Sequence, residues 1–364
     1  MTAESGAAQD KHRGFLDRTM TGLAASNGLR TFLLACAAIG LALAVTGLLI
    51  LLAGKNPIHA YWALIKGAVG TPGRLAFALN KSTPYILAGV GVALCFRAKI
   101  INIGAEGQIA VGGIAATFVA LNFLSLPPFF LVLVALVAGA LGGAAWAAIA
   151  AIIRLKRGVH EVLCTLLLNF VGMLLVAEAL HGDMGEPGAG FPQSPLFEPA
   201  AWLPKLLPGT DLHIGILFAI AAAIAGHILL WRTTFGFRLR VMGASPQAAN
   251  YVGISTARCI FGVMTLAGAL AGFAGGIEVL GVHYRLIEGF STGYGFNAVA
   301  VALIASVNPI AMLPAGLFFG FLEAGALAMQ REVGVPSSLV FVIQGLTMVF
   351  VLCAIGLGAR RQKV

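Results

Sequence analysis

The sequence predicts an all-α polytopic membrane protein with about ten transmembrane helices, some of them broken, and with both termini in the cytoplasm. Composition is the first reason: 59% of the 364 residues are hydrophobic and only 10% are charged, with a mean hydropathy of +0.94. Soluble domains carry about 25% charged residues. Such a small number of charged side chains could not cover a water-exposed surface. The lipid bilayer is therefore the expected solvent.

The second reason is a series of long apolar stretches. A spanning helix needs about 20 mainly apolar residues. Two stretches are short, one following Pro84 and one ending at Asn308-Pro309, and broken helices are tolerated where they are buried in protein or line a cavity. The ten stretches are, roughly, 31–53, 84–99, 101–121, 129–153, 161–180, 212–230, 259–281, 295–307, 310–329 and 337–358.

The third reason is the distribution of basic residues. If the N-terminus is cytoplasmic, 16 of the 23 lysines and arginines fall in inside loops and seven fall outside. Cytoplasmic loops carry this excess in membrane proteins, so the net charge of +9 is assigned to topology and no nucleic-acid partner is expected. The predicted parts are a cytoplasmic segment 1–30, a transmembrane domain 31–358 and a cytoplasmic tail 359–364.

Two long outer loops are predicted, at 54–83 and 182–211. The first holds Tyr61, Trp62 and Phe77 and is typical of a short amphipathic piece at the membrane interface. The second contains six prolines, which forbid a continuous helix. We expect an irregular loop there that forms a lid or a docking surface.

Polar residues inside a membrane are costly and mark functional sites by default. The candidates are Glu106, Gln108, Asn169, Glu178, Glu278, Asn297, Glu323 and Gln344. The alternative roles are hydrogen bonding between helices, capping, and, for Glu178 and Glu278, solvation near the outer interface. The residues assigned to a solute path are Asn102, Glu106, Gln108 and Asn297.

Two glycine-containing segments, 102–110 and 291–300, each open a helix built of small residues. They start on opposite sides of the membrane in the predicted topology. Inverted repeats of this kind mark the substrate path of many transporters. Chance similarity between glycine-rich helices is the alternative.

The longest inside loop, 231–258, predicts a short cytoplasmic helix. Ser245 fits the N-cap and Pro246 the first helical position, and Gly253 ends the helix. Such a helix could dock in a groove on a partner and transmit its motion, or it could belong to an ordinary solvated loop. The residues assigned to docking are Gly243, Ala244, Ala248, Ala249, Tyr251 and Gly253.

Several motifs carry a family resemblance. The segment MGASPQAANYVGI, residues 242–254, resembles the coupling loop of bacterial ABC importer permeases for branched-chain amino acids, ribose and nucleosides. INIGAEGQ, residues 101–108, is similar to the NIGAEGQ stretch of the nucleoside branch, and NPIHAYW, residues 56–62, resembles its first outer segment. Further similarity at 326–330 and 335–346 extends the resemblance over roughly 40–357.

The resemblance implies a multi-pass permease subunit in a bacterial inner membrane, surrounded by lipid. Its expected partners are a second permease subunit (a distinct homologue or another copy), a cytoplasmic ATPase that couples to 231–258, and an extracytoplasmic solute-binding protein. The sequence contains no GxxxxGK[ST] phosphate loop, so ATP is expected on the separate ATPase and no cofactor on this chain.

Two other classes compete with this interpretation. A stand-alone secondary transporter coupled to H⁺ or Na⁺ could use Glu106 and Glu323 as ion sites, but it would give the 231–258 loop no task. A membrane enzyme is disfavoured because the sequence has no paired catalytic carboxylates and no nucleophile–base motif. No catalytic residue is therefore assigned. The five cysteines occur singly, without CxxC or Cys/His spacing, so neither a disulfide framework nor a metal site is predicted.

Overall fold

The computed structural model describes residues 37, 40–291, 293–336, 338, 339, 341, 342, 344–346, 349 and 350. The predicted N-terminal segment 1–30, the start of the 31–53 stretch, the end of the 337–358 stretch and the tail 359–364 lie outside the described residues. Tyr61–Gly334 form one compact unit, which is described below. The described residues before Tyr61 and after Gly334 belong to another unit, and are helical from 40 to 52 and at every described position from 338 to 350.

Helices make up most of the described residues, which contain no strand beyond two isolated bridges. The all-α prediction is therefore confirmed for this part of the chain. Helix α10 continues into a π-helical turn, Val279–His283, and a 3₁₀ helix covers Pro199–Ala201. The α-helices are α1 (Gly40–Leu52), α2 (Pro57–Val69), α3 (Pro72–Arg97), α4 (Ala105–Asn122), α5 (Pro128–Arg157), α6 (Glu161–His181), α7 (Gly215–Arg232), α8 (Thr234–Ala244), α9 (Pro246–Tyr251), α10 (Thr256–Glu278), α11 (Tyr294–Ile304) and α12 (Met312–Val333).

Five of the described helices are long and apolar enough to cross a membrane: α5, α6, α7, α10 with its π turn, and α12. A sixth span results if α1 and α2 count as one broken span. The predicted stretches at 129–153, 161–180, 212–230, 259–281 and 310–329 match the five helices. The short stretch at 295–307 corresponds to the 11-residue helix α11.

The predicted break before residue 84 is wrong. Helix α3 runs without interruption from Pro72 to Arg97 and includes Pro84. Proline removes one helical hydrogen bond, and the Ser82 and Thr83 hydroxyls donate to the carbonyls of Ala78 and Leu79 in the same turn. Hydroxyl side chains and neighbouring helices make proline tolerable in membrane helices. The 54–83 segment therefore contains all of α2 and the first part of α3.

Small residues bring α4, α5 and α10 into close contact. A Cβ atom added to Gly272 of α10 would overlap the carbonyl oxygen of Gly139 in α5, and one on Gly112 of α4 would overlap the Gly272 backbone. Gly143 of α5 and Gly268 of α10 meet in the same way. Lipid provides no hydrophobic driving force for helix association. Van der Waals contacts between closely approaching backbones therefore stabilise this packing. These contacts set the positions of α4 and α10, which carry the polar residues described below.

The proline-rich segment, residues 182–211, is irregular apart from its 3₁₀ helix, as predicted. It packs along the chain that follows the π turn. Ser194 N–H donates to the Leu286 carbonyl at 2.8 Å, Phe197 N–H to that of Tyr284 at 2.9 Å, and Leu203 N–H to that of Leu280 at 3.0 Å. The Trp202 and Tyr284 ring centroids are 4.5 Å apart. The segment is thus fixed to the end of α10.

We predict that Gly272→Ala lowers the stability of the protein by about 1–3 kcal/mol, the usual cost of overpacking. The added methyl group would meet the backbone of α5. The measurement is the thermal unfolding midpoint and the monodisperse fraction in detergent. Gly73→Ala is the control, because nothing lies within 4 Å of a Cβ at that position in α3. Equal behaviour of the two variants would contradict the packing argument.

Candidate functional site

The segment before α4 is held by a row of side chains on α6. Glu161, Thr165 and Asn169 are spaced four residues apart and therefore lie on one helix face. They accept hydrogen bonds from the backbone N–H groups of Ile101 at 3.3 Å, Ile103 at 3.3 Å and Gly107 at 2.9 Å, respectively. All three side chains are buried. This row satisfies backbone donors that have no helical partner at the start of α4.

Asn102 and Gln108 lie together in this region, and both are buried. The Asn102 Oδ1 atom accepts from Gln108 Nε2 at 3.3 Å and from Gly104 N–H at 2.9 Å. Their amide groups are thus engaged within the protein and shape the loop that opens α4.

Glu106 lies in the first turn of α4 and caps a different helix. Its carboxylate accepts from Ser291 Oγ at 3.0 Å, Gly293 N–H at 3.0 Å and Gly295 N–H at 2.7 Å. The two N–H groups belong to the N-terminus of α11, which has no acidic residue in its own first turn. A Cβ on Gly295 would overlap the Glu106 backbone. The two small-residue segments compared in the sequence therefore meet directly, N-terminus to N-terminus.

A cavity of about 460 Å³ opens beside this contact. Its volume falls in the range of small-molecule sites, about 300–1,000 Å³. Carboxylates and aromatic rings line it together with apolar side chains of α6. The lining residues are Glu106, Ala110, Met173, Leu174, Val176, Ala177, Glu288, Gly289, Phe290, Ser291, Gly293 and Phe296.

The fourth residue assigned to the solute path, Asn297, lies one turn further along α11 in another polar group. Its Nδ2 atom donates to Tyr85 Oη at 3.5 Å. We call this group the Lys81 cluster; it consists of Lys81, Tyr85, Glu278, Tyr294, Asn297 and Glu323. Its members come from α3, α10, α11 and α12. The four predicted residues are therefore divided between two places.

Lys81 is the centre of the cluster. Its Nζ atom lies 3.4 Å from Glu278 Oε1 and 3.5 Å from Glu323 Oε1, and it donates to Tyr294 Oη. Tyr294 Oη lies 3.0 Å from Glu278 Oε1, and Tyr85 Oη donates to Glu323 Oε2 at 2.5 Å. Removing one partner of a buried ion pair costs about 3–5 kcal/mol. The cluster therefore ties four helices together and also concentrates charge where lipid-embedded proteins rarely have it.

Sequence reasoning missed Lys81 because it placed the residue in an outer loop. The available signal was the helix start: Thr71 accepts from Arg74 N–H as an N-cap and Pro72 occupies the first helical position. These two features together predict a helix that begins before Lys81.

The basic segment, residues 231–258, folds as two short helices, α8 and α9, before α10. The Ser245 hydroxyl accepts from Ala248 N–H at 3.2 Å, with Pro246 in the first position, so the predicted cap is confirmed. Gly253 has a φ of +76°, which favours glycine at the end of the helix.

The six residues assigned to docking have two different environments. Gly243 and Ala249 are buried, and a Cβ on Gly243 would overlap the Arg97 carbonyl oxygen. Ala244, Ala248, Tyr251 and Gly253 are exposed, and Tyr251 is 96% exposed. The buried pair holds α8 and α9 on the helical unit, whereas Tyr251 extends away from it.

Comparison with known proteins assigns the family. Residues 74–352 match the family described as Branched-chain amino acid transport system / permease component. The chain belongs to this family, and it is a multi-pass permease subunit of the ABC importer class.

Three relatives cover most of both chains. The glucose ABC transporter permease protein TsgB13 of Haloferax volcanii is 36% identical over 85% of this chain and 84% of its own. The guanosine ABC transporter permease protein NupP of Bacillus subtilis is 34% identical over 86% and 91%. The nucleoside ABC transporter permease protein NupB of Lactococcus lactis is 30% identical over 84% and 86%. No solved structure matches the chain.

We predict that Glu106→Gln lowers the stability by about 1–3 kcal/mol, since the amide leaves a buried backbone donor without its charged acceptor. The thermal midpoint in detergent should fall by several degrees. Glu288→Gln is the matched control: Glu288 lines the same cavity but is exposed. An unchanged midpoint for Glu106→Gln would show that the carboxylate is not needed to cap α11.

Proposed function

We propose that this chain carries nucleosides or related small polar solutes inward through a pore at the interface with a second permease subunit. The observation that carries the proposal is the agreement of three relatives, each named as an ABC transporter permease and each similar over more than four-fifths of this chain. Two of these names specify nucleosides or guanosine, and the third specifies glucose. The nucleoside-type INIGAEGQ motif favours the first two.

The proposed topology has about ten spans, both termini in the cytoplasm, and a location in a bacterial inner membrane. The excess of basic residues in the predicted inside loops supports this orientation. In that arrangement the proline-rich segment faces outward, towards a solute-binding protein, and the basic segment faces the cytoplasm.

The second permease subunit is proposed to be a distinct homologue. Bacillus subtilis NupP and NupQ are both named guanosine ABC transporter permease proteins, and they match this chain at 34% and 28% identity. A pair of unequal relatives in one organism favours a heterodimer over two copies of one chain.

The solute path is proposed to run beside the contact between α4 and α11. The cavity of about 460 Å³ next to Glu106 and Phe296 has room for a nucleoside. Asn102 and Gln108 support the loop that leads into α4, whose residues Glu106 and Ala110 line one wall, and Asn297 lies on the same helix as Phe296. Apolar walls with a few polar groups are the usual composition of small-molecule sites.

A cytoplasmic ATPase is proposed to bind ATP and to drive the chain through the basic segment. Tyr251 and Val252 are both strongly exposed at the end of α9. Exposed aromatic residues of this kind are frequent anchors at protein interfaces. The buried Gly243 and Ala249 would transmit force because they fix α8 and α9 to the helical unit.

The test is uptake of radiolabelled guanosine and of glucose by cells that express the chain with its neighbouring permease, ATPase and binding-protein genes. We expect uptake that disappears when the lysine in the phosphate loop of the ATPase is replaced. Uptake by this chain alone, abolished by an uncoupler, would overturn the proposal. It would favour a stand-alone ion-coupled transporter, the second candidate, which the buried carboxylates Glu278 and Glu323 would suit.

We predict that Tyr251→Ala reduces uptake and solute-stimulated ATPase activity at least about tenfold, because loss of an anchor at an interface commonly costs 2 kcal/mol or more. The permease should keep its thermal midpoint, since the side chain makes few contacts in its own chain. Phe130→Ala, at an exposed aromatic residue of α5, is the control. Normal coupling in Tyr251→Ala would remove α9 from the ATPase interface.

A further inference from the structure

The Lys81 cluster has hydrogen-bonding capacity that the protein does not use. Among the described residues, the Glu278 Oε2 atom has no hydrogen-bond partner although Glu278 is 1% exposed. A buried polar atom without a partner costs about 1–3 kcal/mol. The other carboxylate oxygen, Oε1, faces Lys81, Tyr294 and the His283 Nε2 atom at 3.5 Å. The Oε2 atom of this carboxylate can therefore still accept a hydrogen bond from a further donor.

A second buried group in the same place has an unused donor. His213 lies just before α7 and is 1% exposed, and its backbone N–H donates to Asn80 Oδ1, next to Lys81, at 3.3 Å. Its Nδ1 atom accepts from Gly215 N–H at 3.1 Å, so the proton of the neutral ring lies on Nε2. Among the described residues, Nε2 has no hydrogen-bond partner.

The cluster carries one formal positive charge on Lys81 and two formal negative charges on Glu278 and Glu323. It is also not closed: the Glu323 side chain is 21% exposed and Asn297 is half-buried. The described residues contain no group of three metal ligands. A small neutral ligand with both donors and acceptors suits this site better than a metal ion does.

Hydroxyl groups have this chemistry. A hydroxyl donates one hydrogen bond and accepts others, so it can donate to a carboxylate oxygen and accept from an N–H group. Two carboxylates, an amide, an ammonium and an imidazole N–H can together bind neighbouring hydroxyl groups of a sugar ring. Glucose and guanosine, named for two relatives, both carry such hydroxyls and share little else.

We propose that the Lys81 cluster, with His213, recognises the hydroxyl groups of the transported solute. This inference rests on the proposed function and specifies which part of the solute is bound. Glu323 and Asn297, the accessible members, make the first contact. The unused atoms of Glu278 and His213 become partners when the helices around the cluster move apart during transport.

The test compares guanosine with 2′,3′-dideoxyguanosine, which lacks the 2′ and 3′ hydroxyls of the ribose and keeps the 5′ hydroxyl, in ATP-driven uptake by the complete transporter. Sites built to bond a hydroxyl discriminate strongly against an analogue without it. We expect Glu323→Gln and Asn297→Leu to reduce the guanosine-to-dideoxyguanosine uptake ratio at least about tenfold, through slower guanosine uptake. Glu332→Gln, at an exposed carboxylate of the same helix α12 that pairs with Arg74, should leave the ratio unchanged.

The outcomes separate this inference from the proposed function. ATP-driven guanosine uptake with an unchanged ratio in both variants would overturn the hydroxyl site alone, whether the two uptake rates stay at the wild-type level or fall by the same factor. Uptake of glucose and not guanosine moves the comparison to glucose and 2-deoxyglucose, with the same expectation for the variants. Absence of any ATP-driven uptake by the wild-type transporter would overturn the proposed function.

Discussion

The carboxylate of Glu106 lies where the N-termini of two helices meet. Each helix N-terminus carries about half a positive charge, so the ends of α4 and α11 repel one another unless an anion lies between them. Glu106 belongs to α4 and bonds two N–H groups of α11, which neutralises one end with a residue from the other. Gly295 allows the approach because it has no side chain. The short helix α11 can therefore begin directly against α4 with two N–H groups at its N-terminus bonded to Glu106.

The remaining packing follows from this contact. Helix α4 is fixed at its start by the Glu161, Thr165 and Asn169 row and along its length by glycine contacts with α5 and α10. Helix α10 in turn carries Glu278 to Lys81, and its π turn joins the proline-rich segment by backbone hydrogen bonds. π-helical turns are rare in proteins, and many of those that occur lie at functional sites. The core polar residues and the proposed docking surface for a binding protein are thus parts of one continuous framework.

The sequence predicted the helical class, the positions of five long apolar helices, the irregular proline-rich segment and the Ser245 cap, because composition, hydropathy and capping are local properties. It also paired the segments around residues 102 and 291 as similar openings of helices. That Glu106 of the first caps the second depends on tertiary contact and has no local signature. Lys81 was missed for a related reason: Pro84 usually ends a helix, whereas α3, whose residues around Pro84 are buried among neighbouring helices, continues through it.

The two buried acidic sites differ in how completely they are satisfied, and this difference separates their roles. Glu106 receives three hydrogen bonds from fixed groups, so moving it away from α11 would expose several donors at once. It suits a permanent contact between α4 and α11 beside the proposed solute path. Glu278 shares one oxygen among several donors while its other oxygen has no partner within the described residues. A rearrangement could give this unused oxygen a hydrogen-bond donor. The side chains of α3, α10 and α12 in the Lys81 cluster can therefore exchange hydrogen bonds with one another for hydrogen bonds to a solute.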